Sequence, residues 1–227
     1  MVELLDLGKL LVEGVFLRRL GRFVVEVRVG SESVLAHNTN TGRLLDVLVP
    51  GRRVVLVPRE GRLRYRLVGV EDVVAGCFSV VDVLTQAAAF ERSVELGLLP
   101  YLRECRIVRR NPRFHGVVFD YELSCGAGRV VVETKSAVLR GPRNEAMYPD
   151  CETLRGRRHI RGLMEAASGG LGAYLVFIAA MCGVRCFKPS LEGDRVVALL
   201  IREALERGVV VRSISIYTVS YTHLRAH

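Results

Sequence analysis

The chain has 227 residues, 50% hydrophobic and 25% charged, with 22 Gly and 7 Pro, enough for one large or two small globular domains with a sizeable core. No apolar run reaches the ~18 residues of a membrane span, and residues 1–6 lack a basic segment leading into an apolar one, so neither a span nor a secretory signal is expected and the expected location is the cytoplasm. The 33 Lys and Arg against 24 Asp and Glu leave a formal +9, which favours a polyanionic partner, although Lys9, Lys135 and Lys188 are the only lysines and an Arg bias also arises in a GC-rich genome.

Between residues 11 and 70, five short β-branched runs (12–16, 23–29, 33–37, 53–58 and 63–70) are separated by turn signals at Gly30, Thr41-Gly42, Pro50-Gly51 and Glu60-Gly61. No helix-period stretch interrupts them, which predicts a small OB- or SH3-like barrel over residues 1–75. At Ala75-Gly76 the pattern changes. Residues 85–96 predict a helix with Thr85 as N-cap and Gly97 closing it. Residues 116–124 and 129–135, joined by the tight turn at 125–128, predict an antiparallel hairpin. A helix at 153–167, an apolar strand at 173–180, an amphipathic helix at 194–207 ended by Gly208 and a strand at 209–217 follow. The fold class expected is therefore α/β (α+β), a barrel followed by a three-layer domain over residues 76–219. Residues 220–227 are polar and unpatterned, read as a non-native tail, and are set aside, so His223 and His227 carry no weight.

The six cysteines show no CxxC spacing and are expected to be reduced, small buried hydrophobes. Cys182 and Cys186 are the pair expected to bridge if the source is a hyperthermophile, where intracellular disulfides occur; the single Gln and four Asn would fit a thermophile.

The sharpest chemical signal is on the hairpin. Asp120 lies on its first strand and Glu133-Thr134-Lys135 on its second, and the period of two puts Glu133 and Lys135 on one face. Asp120 and Glu133 can each offer a carboxylate to Mg²⁺, with Mn²⁺ as a substitute, while Lys135 orients water and meets phosphate charge. This is the D…E-x-K pattern of restriction-endonuclease-like nucleases. The plain alternative is a solvated strand face, but Val130-Val131-Val132 before the pair and Ala137-Val138-Leu139 after it make a buried charged pair that needs a partner or a role. Downstream, a Tyr148-Pro149-Asp150 turn opens a helix on which Arg155, Arg158 and His159 share a face, suited to phosphate or equally to a solvated cationic surface. The polar run from His37 through Asn40 to Gly42 reads by itself as a turn.

Taken together, Arg22-Phe23, the His37–Gly42 run, Asp120, Glu133-x-Lys135-Ser136 and Tyr148-Pro149-Asp150-x-x-Thr153-x-Arg155-Gly156-x-x-His159 resemble the sugar fermentation stimulation protein family, over about residues 14–211. The resemblance implies an N-terminal OB-like barrel, a PD-(D/E)xK nuclease-like domain, and nucleic-acid binding, DNA ahead of RNA, by a regulator of sugar-utilisation genes. The other reading is a Mg²⁺-dependent nuclease using Asp120, Glu133 and Lys135. Either way Arg22, His37, Asn40, Arg155, Arg158 and His159 are the expected nucleic-acid contacts, no membrane is involved, and a homodimer is admitted. The chain departs from the family in having Leu84-Thr85 and Ala89 where Asn residues are usual, and Glu91 or Glu95 is the candidate first-helix acid of the metal site. A single-strand module is disfavoured, since Phe16, Phe23 and Tyr65 are the barrel's few aromatics.

Overall fold

The computed structural model describes residues 2–6, 11–126, 128–220 and 223–226. After a first strand, β1 (Val2–Asp6), the β-branched runs form β2 (Val12–Arg19), β3 (Val24–Val29), β4 (Glu32–His37), β5 (Arg53–Pro58) and β6 (Tyr65–Glu71). β2 pairs antiparallel with β3 and β5, β3 with β4, and β5 with β6. A parallel contact of β4 with β6, at Ala36–Tyr65 and His37–Arg66, closes the barrel. This connectivity is that of the five-stranded OB barrel. Alternation along the strands turns Phe16, Val25, Val27, Val54, Leu56 and Leu67 into its interior, and β7 (Phe78–Val80) extends the sheet beside β6.

Helix α1 (Val83–Glu95) follows. Its N-cap is Asp82 rather than Thr85: the Asp82 carboxylate accepts from the Thr85 amide at 3.0 Å and from the Thr85 hydroxyl at 2.6 Å. Both residues are cap types, and the carboxylate reaches back to the first turn while Thr85 is already inside it. Gly97, at φ +63, ends the helix.

The rest of the chain is β8 (Arg106–Arg110), β9 (Arg113–Phe114), β10 (Val117–Val118), β11 (Tyr121–Cys125), β12 (Gly128–Ser136), β13 (Leu139–Arg140), β14 (Glu145–Tyr148), α2 (Leu154–Ser168), β15 (Gly172–Ala179), β16 (Cys186–Pro189), α3 (Leu191–Glu206), β17 (Val210–Ser220) and β18 (His223–Ala226). The large sheet has the order β1-β18-β17-β15-β12-β11-β8, with β12, β15 and β17 parallel. Residues 2–6, read above with the barrel, pair instead with β18, and residues 223–226, set aside above, pair with β17. α1 packs against the sheet's β8 and β12, while α2 and α3 pack against each other and over β15 and β17. Among the described residues no helix is long and apolar enough to cross a membrane.

Three details differ from the sequence reading. The hairpin's first strand breaks at Phe119-Asp120, because β10 pairs with β9 and only from Tyr121 does the chain join β12. α3 carries an extended residue at Asp194 (φ −161, ψ 99), so the regular helix restarts there, with the Asp194 carboxylate accepting from the Val196 and Val197 amides. Finally, Cys182 bridges Cys77 and Cys105 bridges Cys125, whereas Cys186 is free and exposed. The first pairing follows from packing. Val80 of β7 donates to the carbonyl of Ala180, which brings the ends of β7 and β15 together, while Cys186 leaves on β16 in another sheet.

The barrel and the α/β domain meet through polar contacts. Asp150 accepts from the Leu44 amide at 2.8 Å, Arg140 pairs with buried Asp72 at 2.6 Å, and the Thr39 hydroxyl donates to Asp82 at 2.7 Å.

Candidate nucleic-acid and metal site

β12 lies inside the large sheet, parallel to β15 and antiparallel to β11, with α1 packed on one face and α2 on the other. Its alternation turns Glu133 and Lys135 toward α2, and Ser136 toward α1. Glu133 is 1% exposed. Its Oε1 is bonded to both the Lys135 ammonium and the His159 Nδ1, while Oε2 has no partner. Burial works against the Glu133 charge, but Lys135 and His159 outweigh it and hold the carboxyl below its ordinary range. Burial likewise opposes the Lys135 charge, and Glu133, Tyr148 and Asp120 nonetheless raise its pKa.

Asp120 reaches the site because the strand breaks just before β11. Its Oδ2 accepts from the Thr134 amide at 2.7 Å and hydroxyl at 2.6 Å, which fixes the side chain, and among the described residues Oδ1 takes no hydrogen bond. Burial and the neighbouring Glu133 charge push its pKa up, as expected of two carboxylates sharing one region. The structure thus brings Asp120, Glu133 and Lys135 together. Among the described residues no three His, Cys, Asp or Glu side chains form a metal-binding group, so the two carboxylates stand without a third acid. Glu91 is paired with Arg110 at 2.6 Å and Glu95 with Arg92 at 3.1 Å, and neither contacts Asp120 or Glu133.

α2 starts at the N-cap Thr153, whose hydroxyl accepts from the Gly156 amide at 3.0 Å. Gly156 is required there, since a Cβ would lie 2.6 Å from the Tyr148 hydroxyl. His159 is 5% exposed and lies behind Glu133. Its Nε2 accepts from Arg155 Nε at 3.3 Å, which assigns the ring proton to Nδ1, donated to Glu133. His159 is therefore placed to orient the carboxylate. Arg155 remains exposed; Arg158 is exposed but donates to the Gly116 carbonyl at 2.6 Å. The neighbouring Arg157 turns away to Asp194 at 2.9 Å.

Between the barrel and the α/β domain lies a cleft of about 620 Å³, with Arg22, Phe23, Asn40, Lys135, Asp150 and Arg155 in its walls. Asn40 builds that wall: its Oδ1 accepts from the Gly42 amide at 3.0 Å and its Nδ2 donates to Ser136 Oγ at 3.2 Å. Arg22 is exposed at the rim. His37 stands outside the lining, beside Phe23 with ring centroids 6.4 Å apart. A second hollow of about 490 Å³, lined by Arg113, Arg158 and His159, shares Leu154 and Arg155 with the first.

Sequence reasoning missed three residues that shape this region. Gln86 of α1 donates to Ser136 Oγ at 2.9 Å and to the Val80 carbonyl at 2.7 Å; its signal was being the chain's single Gln on an apolar helix face. Arg19 donates to the Gly42 and Arg43 carbonyls at 2.5 and 2.9 Å, pinning the turn after Asn40. Asp194 accepts from the Thr153 amide at 3.0 Å and so anchors the start of α2.

A family model described as "Sugar fermentation stimulation protein RE domain" matches residues 84–221, and one described as "SfsA N-terminal OB domain" matches residues 17–77. A sugar fermentation stimulation protein homolog from Pyrococcus furiosus is 45% identical over 89% of this chain and 87% of its own length. The homolog from Archaeoglobus fulgidus is 38% identical over 87% of this chain and 84% of its own. Among solved structures, Pyrococcus furiosus SfsA in complex with Ca²⁺ matches with a TM-score of 0.95 and 41% identity, covering 100% of this chain and 97% of that one.

Proposed function

The chain belongs to the sugar fermentation stimulation protein family, and from this premise we propose that it binds DNA at the junction of its barrel and its α/β domain. We further propose that Asp120, Glu133 and Lys135 form a site for divalent-metal-dependent phosphodiester hydrolysis. The observation that carries the reading is the convergence of these three side chains with one carboxylate oxygen on each acid left unengaged among the described residues: Glu133 Oε2 is buried without a partner there, and Asp120 accepts its bonds through Oδ2. A buried, unpartnered carboxylate oxygen is costly unless a ligand uses it. Mg²⁺ fits this donor set, since it is held by one or two carboxylates and completes its shell with water and phosphate oxygens. Ca²⁺, named with the Pyrococcus structure, also takes oxygen ligands.

Asp120 and Glu133 would hold the ion, which when bound supplies Lewis-acid polarisation of the phosphate. Thr134 fixes Asp120, and His159 holds Glu133 from behind through a bond that Arg155 in turn orients. The Lys135 ammonium, kept charged by Glu133, stands where it can position water and meet charge on the phosphate. Arg155 and Arg22 are exposed for neighbouring phosphates.

The test is cleavage of plasmid and oligonucleotide DNA with Mg²⁺ or Mn²⁺. Cutting that disappears in Glu133→Ala and Asp120→Asn is the expected result; no cutting with any divalent ion refutes hydrolysis. A second reading, a regulator that binds DNA without turnover, is favoured by the absence of a third acid among the described residues and by the Lys135 ion pair on Glu133. It predicts salt-sensitive binding that Glu133→Ala leaves intact.

A further inference from the structure

The two lips of the interdomain cleft repeat one chemistry. On the barrel side Phe23, just before β3, is 49% exposed, with Arg22 beside it in sequence. On the α/β side Leu154, the first residue of α2, is 77% exposed, with Arg155 beside it. All four side chains line the same cleft, whose floor includes Lys135. Each lip thus presents an apolar surface next to a guanidinium, which is the pairing a nucleotide needs: a face for its base and a cation for its phosphate. The other aromatics of the barrel cannot take this part. Phe16 and Phe78 are buried and Tyr65 is half-buried, so Phe23 is the one exposed aromatic among the barrel's described residues.

Size decides the form of nucleic acid. A cleft of about 620 Å³ lies within the range of sites that enclose one small ligand. It admits a nucleotide or two of a separated strand, whereas in a duplex the base faces are stacked within the helix and cannot reach Phe23. We propose that the cleft is a subsite for unpaired DNA, in which a base stacks on Phe23, with Leu154 on the other lip, Arg22 and Arg155 meet the adjoining phosphates, and the strand leads to Lys135. This rests on the DNA-binding reading above and adds to it the class of DNA: single-stranded, flapped or locally opened. Stacking on one ring is tolerant of base identity, so the subsite selects strand state and not sequence.

The chain contains no Trp, so Phe23→Trp places a unique fluorophore on the lip. Titration of this full-length variant in EDTA, where no metal is present for hydrolysis, compares oligo(dT) with a blunt hairpin duplex of equal phosphate content. The expected result is quenching of indole emission by the single strand and none by the duplex. Phe23→Ala should weaken single-strand binding by roughly 5- to 100-fold while leaving duplex binding and the melting temperature unchanged. Binding of duplex alone, or single-strand binding without quenching and indifferent to Phe23→Ala, overturns the subsite but leaves the DNA-binding reading in place. Failure of every DNA to bind overturns both, and stronger quenching by oligo(U) overturns the choice of DNA.

Discussion

Asp194→Ala is expected to unfold the chain at a markedly lower temperature, because one buried carboxylate joins α2 to α3. Asp194 is 2% exposed and accepts two bonds from Arg157 at 2.9 Å, one from the Thr153 amide at 3.0 Å and others from the Val196 and Val197 amides at 3.0 and 3.2 Å. Removing it strands the half-buried Arg157 guanidinium, leaves the Thr153 amide at the start of α2 without its acceptor and uncaps the restart of α3, while Thr153 still caps α2 and Ser190 still caps the first turn of α3. Breaking a buried ion pair from one side costs about 3–5 kcal/mol; Glu152, 3.6 Å from Arg157, offers partial compensation, so about 3 kcal/mol is expected. For a chain of this size that is roughly 6–12 °C in melting temperature. Arg157→Ala should cost less, because the Thr153, Val196 and Val197 amides still satisfy the carboxylate. The effect has a defined pH sign. Burial opposes the Asp194 charge, but Arg157 and the amides prevail and its pKa lies below the ordinary value. A group lowered on folding stabilises above its unfolded pKa and loses that contribution as pH falls through the folded one. The gap between wild type and Asp194→Ala should therefore be full at neutral pH and close below about pH 4. Thermal melts followed by circular dichroism read both. A melting temperature within 2 °C of wild type at neutral pH, about 1 kcal/mol or less, would refute the reasoning.

Gly42→Ala places a Cβ 2.7 Å from Asp150 Oδ2 and must push that carboxylate off the Leu44 amide, so a loss of about 1–3 kcal/mol is expected; Gly21→Ala, with nothing within 4 Å, is the control, and equal melting of the two variants contradicts the contact. The Cys77–Cys182 bridge spans 105 residues, for which loop-closure entropy gives about 4–5 kcal/mol. Cys77→Ser should lower the melting temperature by roughly 10 °C or more while Cys186→Ser does not, and an unchanged Cys77→Ser melt rejects the bridge. In DNA binding, Arg22→Ala and Arg155→Ala should each reduce the slope of log affinity against log salt by about 1. Arg157→Ala, whose guanidinium is spent on Asp194, should leave the slope alone, and an equal change there would show that the arginines are wrongly apportioned.

Much of this protein was legible before any contact was known. The barrel strands were readable because half-buried strands alternate with period two and their turns carry Gly, and the positions of Glu133 and Lys135 on one face follow from the same period. The helix expected from Asp194 begins earlier, at Leu191 behind the N-cap Ser190, and is interrupted by the extended Asp194; that first turn was missed because Gly193 and Asp194 give it little helical propensity. The short strands β13, β14 and β16 were not legible: two to four residues long, they are too brief for a periodic signal, and β8, with Arg at 106, 109 and 110 and hardly any burial, lacks the apolar alternation that marks a strand.

What the sequence by itself determined are the local dihedral preferences, the burial pattern and the residue types available to the site, for these depend on neighbours within a few positions. Only the tertiary structure decided which groups meet. Asn40 and Ser136 stand 96 positions apart and Cys77 and Cys182 105 apart. Asp120 enters the site because a strand breaks beside it, Arg157 is consumed by a helix end 37 residues away, and the cleft exists only where the barrel is seated on the second domain. Such pairings are set by how whole elements pack, a property that no window of sequence contains.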